Sequence, residues 1–324
     1  MATEHARATG RAAPNRLRTA PIQPIRVPLA LGAVRAGVER GAAVLDDGLR
    51  ARAARRLPHL HERLLPSVTV PMPTGDAPLD GRACPGQAMY LDAIAAASPA
   101  LAETVRTALS TGALALTLGG DHALAIGTLA AAAAAATRLA VIWIDAHGDL
   151  NTPETSPSGH VHGMSLAIAL GRGPAVATRL FTGRSAIRPE DVSLLGIRDL
   201  DPSERSWLAE GTIHYATMAT IDARGLDATV AGLIRRIAAS GADAVHVSFD
   251  LDVLDPLLLP GTGTRAHGGF TFREAARLLR LLRESDLPIC SLDWVELNPA
   301  LDPSGASTSV AIELLAIALG EEPV

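Results

Sequence analysis

The chain has 324 residues, 48% of them hydrophobic, and a formal net charge of −5. That length and apolar content allow one large core, with one to two domains as the prior. The acidic balance argues against general nucleic-acid binding, which favours a basic face. All 29 basic residues are arginine, and the two cysteines, Cys84 and Cys290, lie far apart and make no metal-ligand pair or disulfide framework. Such sparse cysteine fits a reducing, cytoplasmic compartment.

Residues 1–25 are rich in Ala, Arg and Pro and lack the apolar stretch of a secretion signal. They read as a disordered extension, with residues 26–324 forming a single domain. From about Ile25 short β-type runs alternate with longer helical ones. In chain order the pattern predicts a strand over 113–118, a helix over 123–136, and strands over 139–144 and 192–196. Helices over 202–209 and 228–240 follow, then a strand over 244–249. A helix over 272–284 opens on a Thr271-x-x-Glu274 capping box, and a strand over 287–292 and a helix over 307–319 end the series. The longest apolar stretch, 128–144, is broken by Thr137 and Arg138 and reads as a buried helix and strand, not a membrane span. Near-continuous apolar strands between helices imply α/β architecture, a parallel sheet covered on both faces.

The charges fall at particular places. The 114–118 run is followed by Gly119-Gly120-Asp121-His122, and 141–144 by Asp145-Ala146-His147-Gly148-Asp149. The 245–249 run is followed by Asp250-Leu251-Asp252, and 289–292 by Asp293 and then Glu296. Each cluster sits at the carboxyl end of a predicted strand, the edge of a parallel sheet where ligands bind.

Residues two apart in extended chain share a side. Asp145, His147 and Asp149 can therefore face one point, as can Asp250 and Asp252, with His122 beside them. Crowded carboxylates repel and raise one another's pKa values; divalent cations remove that conflict. An oxygen-rich set with some imidazole suits manganese or magnesium better than a thiolate-type zinc site. A pair of ions can activate a shared water. A single Asp after a strand is ordinarily a turn former or helix cap. Asp121 and Asp255-Pro256 are read that way, but six such residues at three strand ends are not.

These stretches resemble the metal motifs of the ureohydrolase family, which contains arginases and agmatinases. The likeness runs from about Leu31 to the C-terminus and is closest to arginase. It implies a three-layer α/β/α sandwich with a central, mostly parallel sheet, homotrimeric or homohexameric assembly, and two Mn2+ per subunit. One ion would be held by His122, Asp145, Asp149 and Asp250, the other by Asp145, His147, Asp250 and Asp252. Asp149 would orient the attacking water, His162 would shuttle a proton to the departing amine, and Glu296 would pair with the guanidinium. Thr264 would hydrogen-bond the substrate.

The segment from Asn151 through Ser158 and His160 to Gly163 looks like the arginase version. The resemblance implies α-carboxylate contacts from Asn151, Ser158 and His160, and an α-amino contact from Asp201. Three features depart from arginases. His160 stands where Asn is usual, Val253 where Gly is usual, and Arg265-Ala266-His267 replaces a segment that usually starts with Pro. Arg265 and His267 are read as surface residues near the mouth. The expectation is a binuclear manganese enzyme hydrolysing L-arginine to L-ornithine and urea. The alternative is a relative acting on an Nω-modified arginine, agmatine or another ω-guanidino compound. A metal-dependent deacetylase of the same fold and a non-catalytic scaffold are the readings from other classes. Small-molecule substrate, no nucleic acid and no membrane complete the expectation.

Overall fold

The apolar runs become strands. Ile22–Val27 (β1), Val68–Thr69 (β2), Leu114–Gly119 (β3), Leu139–Ile144 (β4), Val192–Ile197 (β5), His214–Thr217 (β6), Ala244–Asp250 (β7) and Ile289–Val295 (β8) form one sheet. Its order is β2-β1-β3-β8-β7-β4-β5-β6, and every pairing is parallel. The computed structural model describes residues 13–74, 86–183 and 186–322, and the structural statements concern these.

The longer helices are Gly41–Arg56 (α1), Leu91–Ser110 (α2), Ala125–Ala135 (α3), Pro202–Ala209 (α4), Leu226–Ser240 (α5), Phe272–Glu284 (α6) and Ala306–Ala318 (α7). Strand side chains alternate between two cores. Ala140, Ile142 and Ile144 of β4 enter a core closed by α1, α5, α6 and α7, and Val141 and Trp143 enter another closed by α2, α3 and α4. This is the period of two expressed on a sheet buried on both faces. The result is the three-layer α/β/α sandwich. None of the helices among the described residues is long and apolar enough to cross a membrane.

Two expectations change. Residues 1–12 lie outside the described part, but the extension does not run to residue 25. Asn15 caps the short helix Arg16–Thr19, and its Nδ2 donates to the carbonyls of Leu282, Arg283 and Ser285 at the end of α6. β1 follows at once, between β2 and β3. Pro24 hid this strand. The carbonyls of Ile22 and Arg26 face the β2 side, where they accept from Leu65 and Val70. Pro24 shares their parity, and β2 pairs only with Ile25 and Arg26, so the missing donor falls on an open stretch of edge. In addition, Asp293 does not follow β8 but lies inside it, fully buried, where its Oδ2 accepts from the Thr128 hydroxyl at 2.5 Å.

Candidate metal centre and substrate cleft

β3, β8, β7 and β4 are adjacent in the middle of the sheet. Their carboxyl ends therefore converge. After β3 the chain turns against Leu29: the Gly120 and Asp121 N–H groups donate to Val27 and Leu29 carbonyls at 2.9 Å. A Cβ on Gly120 would stand 1.7 Å from the Leu29 carbonyl oxygen, so only glycine fits. Asp121 is a cap, as read: its carboxylate accepts from the Ala123 and Gly32 N–H groups, each at 2.9 Å. That turn presents His122 to the strand ends.

His122 Nδ1 faces carboxylate oxygens of Asp145 (3.2 Å), Asp149 (3.2 Å) and Asp250 (3.1 Å). His147 Nδ1 faces Asp252 at 3.0 Å and Asp145 at 3.4 Å. Two groups of ligand atoms result, His122 with Asp145 and Asp250, and Asp145 with His147 and Asp252, each within 4.8 Å. Asp145 belongs to both. All six predicted ligands are thus brought together. Asp145 Oδ2 also accepts from the Trp143 indole N–H at 3.0 Å, Asp145 Oδ1 from the His147 N–H at 2.7 Å, and Asp252 Oδ2 from the Thr264 hydroxyl at 2.9 Å.

The donor set fits a cation. His122 Nδ1 is buried with no hydrogen-bond partner, aimed at three carboxylates. Among the protein groups alone the site is electrostatically divided. Burial pushes Asp149 up to about 6, helped by the Asp145 charge, and Asp250 well above the carboxylate range, helped by Asp252 and Asp145. Burial also opposes the Asp145 charge, yet the His122 and His147 imidazoles facing it hold its carboxyl far below the usual range. Burial opposes charge on His122, but Asp145, Asp149 and Asp250 raise its pKa well above the ordinary value. Carboxylates that hold protons on imidazoles are places where divalent charge can replace those protons.

Beside the cluster lies a cleft of about 210 Å³. It is lined by the cluster residues His147, Asp149, Asp250 and Asp252 and by Asn151, Ser158, His162, Asp201 and Thr264. Asn151 donates to Asp201 at 2.8 Å and accepts from Ser203 and Thr155. Glu296 is buried, and its Oε1 takes the His122 N–H at 2.8 Å and His162 Nδ1 at 3.1 Å. Burial opposes a charge on His162, but Glu296 raises its pKa to about 9. Arg265 and His267 are exposed, as read.

His160 departs from expectation. It is buried, is not among the residues lining the cleft, and sets its ring edge-on to His162 with centroids 6.1 Å apart. Residue 160 immediately precedes the 3-10 turn Val161–Met164, which carries His162.

Other residues escaped the sequence reading. Glu204 lines the cleft, accepts from the Leu150 and Asp201 N–H groups at 3.0 and 2.8 Å, and is pushed by burial up to about 7. The spacing Asp201-x-x-Glu204, a capping box at the start of α4, was its visible signal. Ser248 holds His122 Nε2 at 2.7 Å. The Arg198 guanidinium donates to the carbonyls of Gly196, Asp252, Val253, Leu254, Ala266 and His267, tying the β5 and β7 ends to the Thr264 loop. The unusual Val253 is accommodated by Gly196 (φ +97°), where a Cβ would meet the Val253 side chain at 2.5 Å.

A parallel α/β/α sandwich with clustered imidazoles and carboxylates on its central strand ends defines a metal-dependent hydrolase. The sequence model of the Arginase family matches residues 22–320. The chain belongs to that family and is an arginase-type ureohydrolase, cleaving C–N bonds in linear amidines. It is 40% identical to the arginase of Bacillus caldovelox over 306 residues, covering 93% of this chain and 99% of that one. The native structure of that arginase superposes with a TM-score of 0.84 over 94% of this chain and 100% of that one. Entamoeba histolytica arginase in complex with L-ornithine, 27% identical, gives 0.83 over 94% of this chain and 100% of its own.

Proposed function

We propose that the chain hydrolyses L-arginine to L-ornithine and urea with two manganese ions per subunit. His122, Asp145, Asp149 and Asp250 would hold one ion, and Asp145, His147, Asp250 and Asp252 the other. The observation that carries this reading is the single cleft joining His147, Asp149, Asp250 and Asp252 to Asn151, Ser158 and Asp201. A guanidinium at one end and an α-amino acid head at the other match that polarity. The relative from Entamoeba histolytica, whose structure holds L-ornithine, supports an amino-acid product. Homo-oligomeric assembly and a cytoplasmic location belong to the same reading.

Ions held by these residues would supply Lewis acidity and lower the pKa of a water in the cleft. The protein side chains do the rest. Asp149, which faces both the cluster and the cleft, would orient that water. Glu296 has Oε1 fixed by the His122 N–H and His162, which leaves Oε2 to accept a guanidinium N–H. Water oxygen bonds to the guanidinium carbon, and the bond from that carbon to the chain nitrogen breaks. His162, protonated at neutral pH, gives the departing amine its proton. Asn151 and Ser158 donate to the α-carboxylate, while Asp201 and Glu204 accept from the α-ammonium.

The placement of His160 away from the cleft favours a second reading. With one carboxylate contact fewer, agmatine, which has no α-carboxylate, competes better. Urea release by manganese-loaded protein decides between them, using arginine, Nω-hydroxyarginine, agmatine and guanidinobutyrate at matched concentrations. Arginine is expected to dominate. Dominance of agmatine overturns the head-group assignment and keeps the chemistry. No urea from any substrate, with any of several divalent metals, sinks the whole reading.

A further inference from the structure

Trp143 touches two of the six ligand residues but has no part in the proposed chemistry. It is fully buried on β4, two residues before Asp145 and on the same side of the strand. Its indole N–H donates to Asp145 Oδ2 at 3.0 Å, and its ring lies flat against His122, with centroids 4.1 Å apart and planes 7° from parallel. Packing alone does not need that N–H, since a phenyl ring could fill the same side of the sheet. A buried donor is costly unless it finds an acceptor. The contrast with Trp294 is direct: among the described residues its buried Nε1 finds no partner, and its ring stacks on Phe249.

Asp145 is the ligand common to both groups. Its Oδ2 takes the Trp143 N–H and its Oδ1 takes the His147 backbone N–H. Each carboxylate oxygen therefore spends one lone pair on a fixed donor and keeps another for the cluster. The His122 ring is held similarly, by Trp143 against its face and Ser248 at Nε2. A ligand fixed before a cation arrives loses little entropy on binding it, and removal of such outer supports typically costs 10- to 100-fold in metal affinity.

We propose that Trp143 is a positioning residue of the metal centre. It fixes the carboxylate plane of Asp145 and the ring plane of His122, and its indole senses whether the centre is filled. The proposal rests on the metal-centre reading above.

The test compares wild type, Trp143→Phe and Trp207→Phe. Trp207 is the control because it packs under Arg172. Manganese binding is measured by calorimetry and by tryptophan emission, with the thermal midpoint of chelated protein as the check on folding. Trp143→Phe is expected to bind manganese about tenfold more weakly, to lose the emission change, and to keep a midpoint close to wild type. Trp207→Phe should keep both the affinity and the emission change. Affinity within twofold of wild type in Trp143→Phe, or a surviving emission change, overturns the proposal alone. Wild-type protein that binds no divalent ion ends the metal-centre reading and the proposal with it. Should Trp143→Phe fail to fold, wild type labelled with 15N-tryptophan carries the test. Adding Zn2+ should move one indole N–H cross-peak, and stationary peaks throughout overturn the proposal.

Discussion

Asp149 (φ +51°) and Glu296 (φ +68°) are non-glycine residues held in left-handed backbone. Such conformations cost roughly 1–3 kcal/mol and persist where surrounding contacts impose them. Here the Leu166 and Ala167 N–H groups hold the Asp149 carbonyl, and Gly120 holds the Glu296 N–H. Asp149→Asn keeps that backbone and removes a ligand charge. It is expected to lower turnover by at least a hundredfold with an unchanged thermal midpoint for chelated protein; loss of folding alone would refute the role. Asp201→Ala should weaken arginine, which carries the α-ammonium, much more than guanidinobutyrate, which has none, and Asp201→Asn, which retains the helix cap, controls for stability. Equal loss for both substrates in steady-state kinetics removes Asp201 from substrate choice. His162 predicts a pH effect. Its folded pKa, about 9, lies above the ordinary 6.5, so the pairing with Glu296 stabilises the fold fully below about 6.5. That contribution is lost as pH rises through about 9. The gap in midpoint between chelated wild type and His162→Asn should be widest at pH 6 and close by pH 10. The six ligands were legible because they cluster just past the apolar runs of β3, β4 and β7, although the chain that carries His122, His147, Asp149 and Asp252 is turned and not extended. His160 was not: it sits just before a 3-10 turn that spacing does not encode.

At the scale of elements, caps made boundaries readable. α4 and α6 begin and end where the pattern placed them, each behind a capping box. Thr271→Ala removes the forward half of the α6 box, whose side chain accepts from the Glu274 N–H. It should cost about 1 kcal/mol in denaturant unfolding and leave activity unchanged, since α6 closes the far core and not the cleft. Strand ends were harder. β8 extends to Val295 although Asp293 looks like a terminus: inside the sheet its Oδ2 accepts from the Thr128 hydroxyl and faces His246 Nε2 at 3.2 Å. β6, His214–Thr217, was missed for the opposite reason: at the sheet's edge it is half-exposed and carries little apolar signal. Polar partners supplied by another element override local pattern, and one sequence does not display them.

Across the whole molecule the ligands come from strands remote in sequence, so filling the centre ties β3, β4 and β7 together. Any cation bound only by the folded chain adds stability, about 2.7 kcal/mol at a hundred times its dissociation constant. The thermal midpoint should therefore climb with manganese concentration and fall on chelation, while far-ultraviolet circular dichroism stays constant at 20 °C. A midpoint indifferent to every divalent ion would count against the centre. The strand order carries another consequence. β8 lies between β3 and β7, so without it the sheet is two pieces: β2-β1-β3, which presents His122, and β7-β4-β5-β6, which presents the other five ligands. On the ribosome that keystone is the last strand to be translated. The enzyme's ion-binding chemistry is thus withheld from the nascent chain until β8 joins the two halves of the centre.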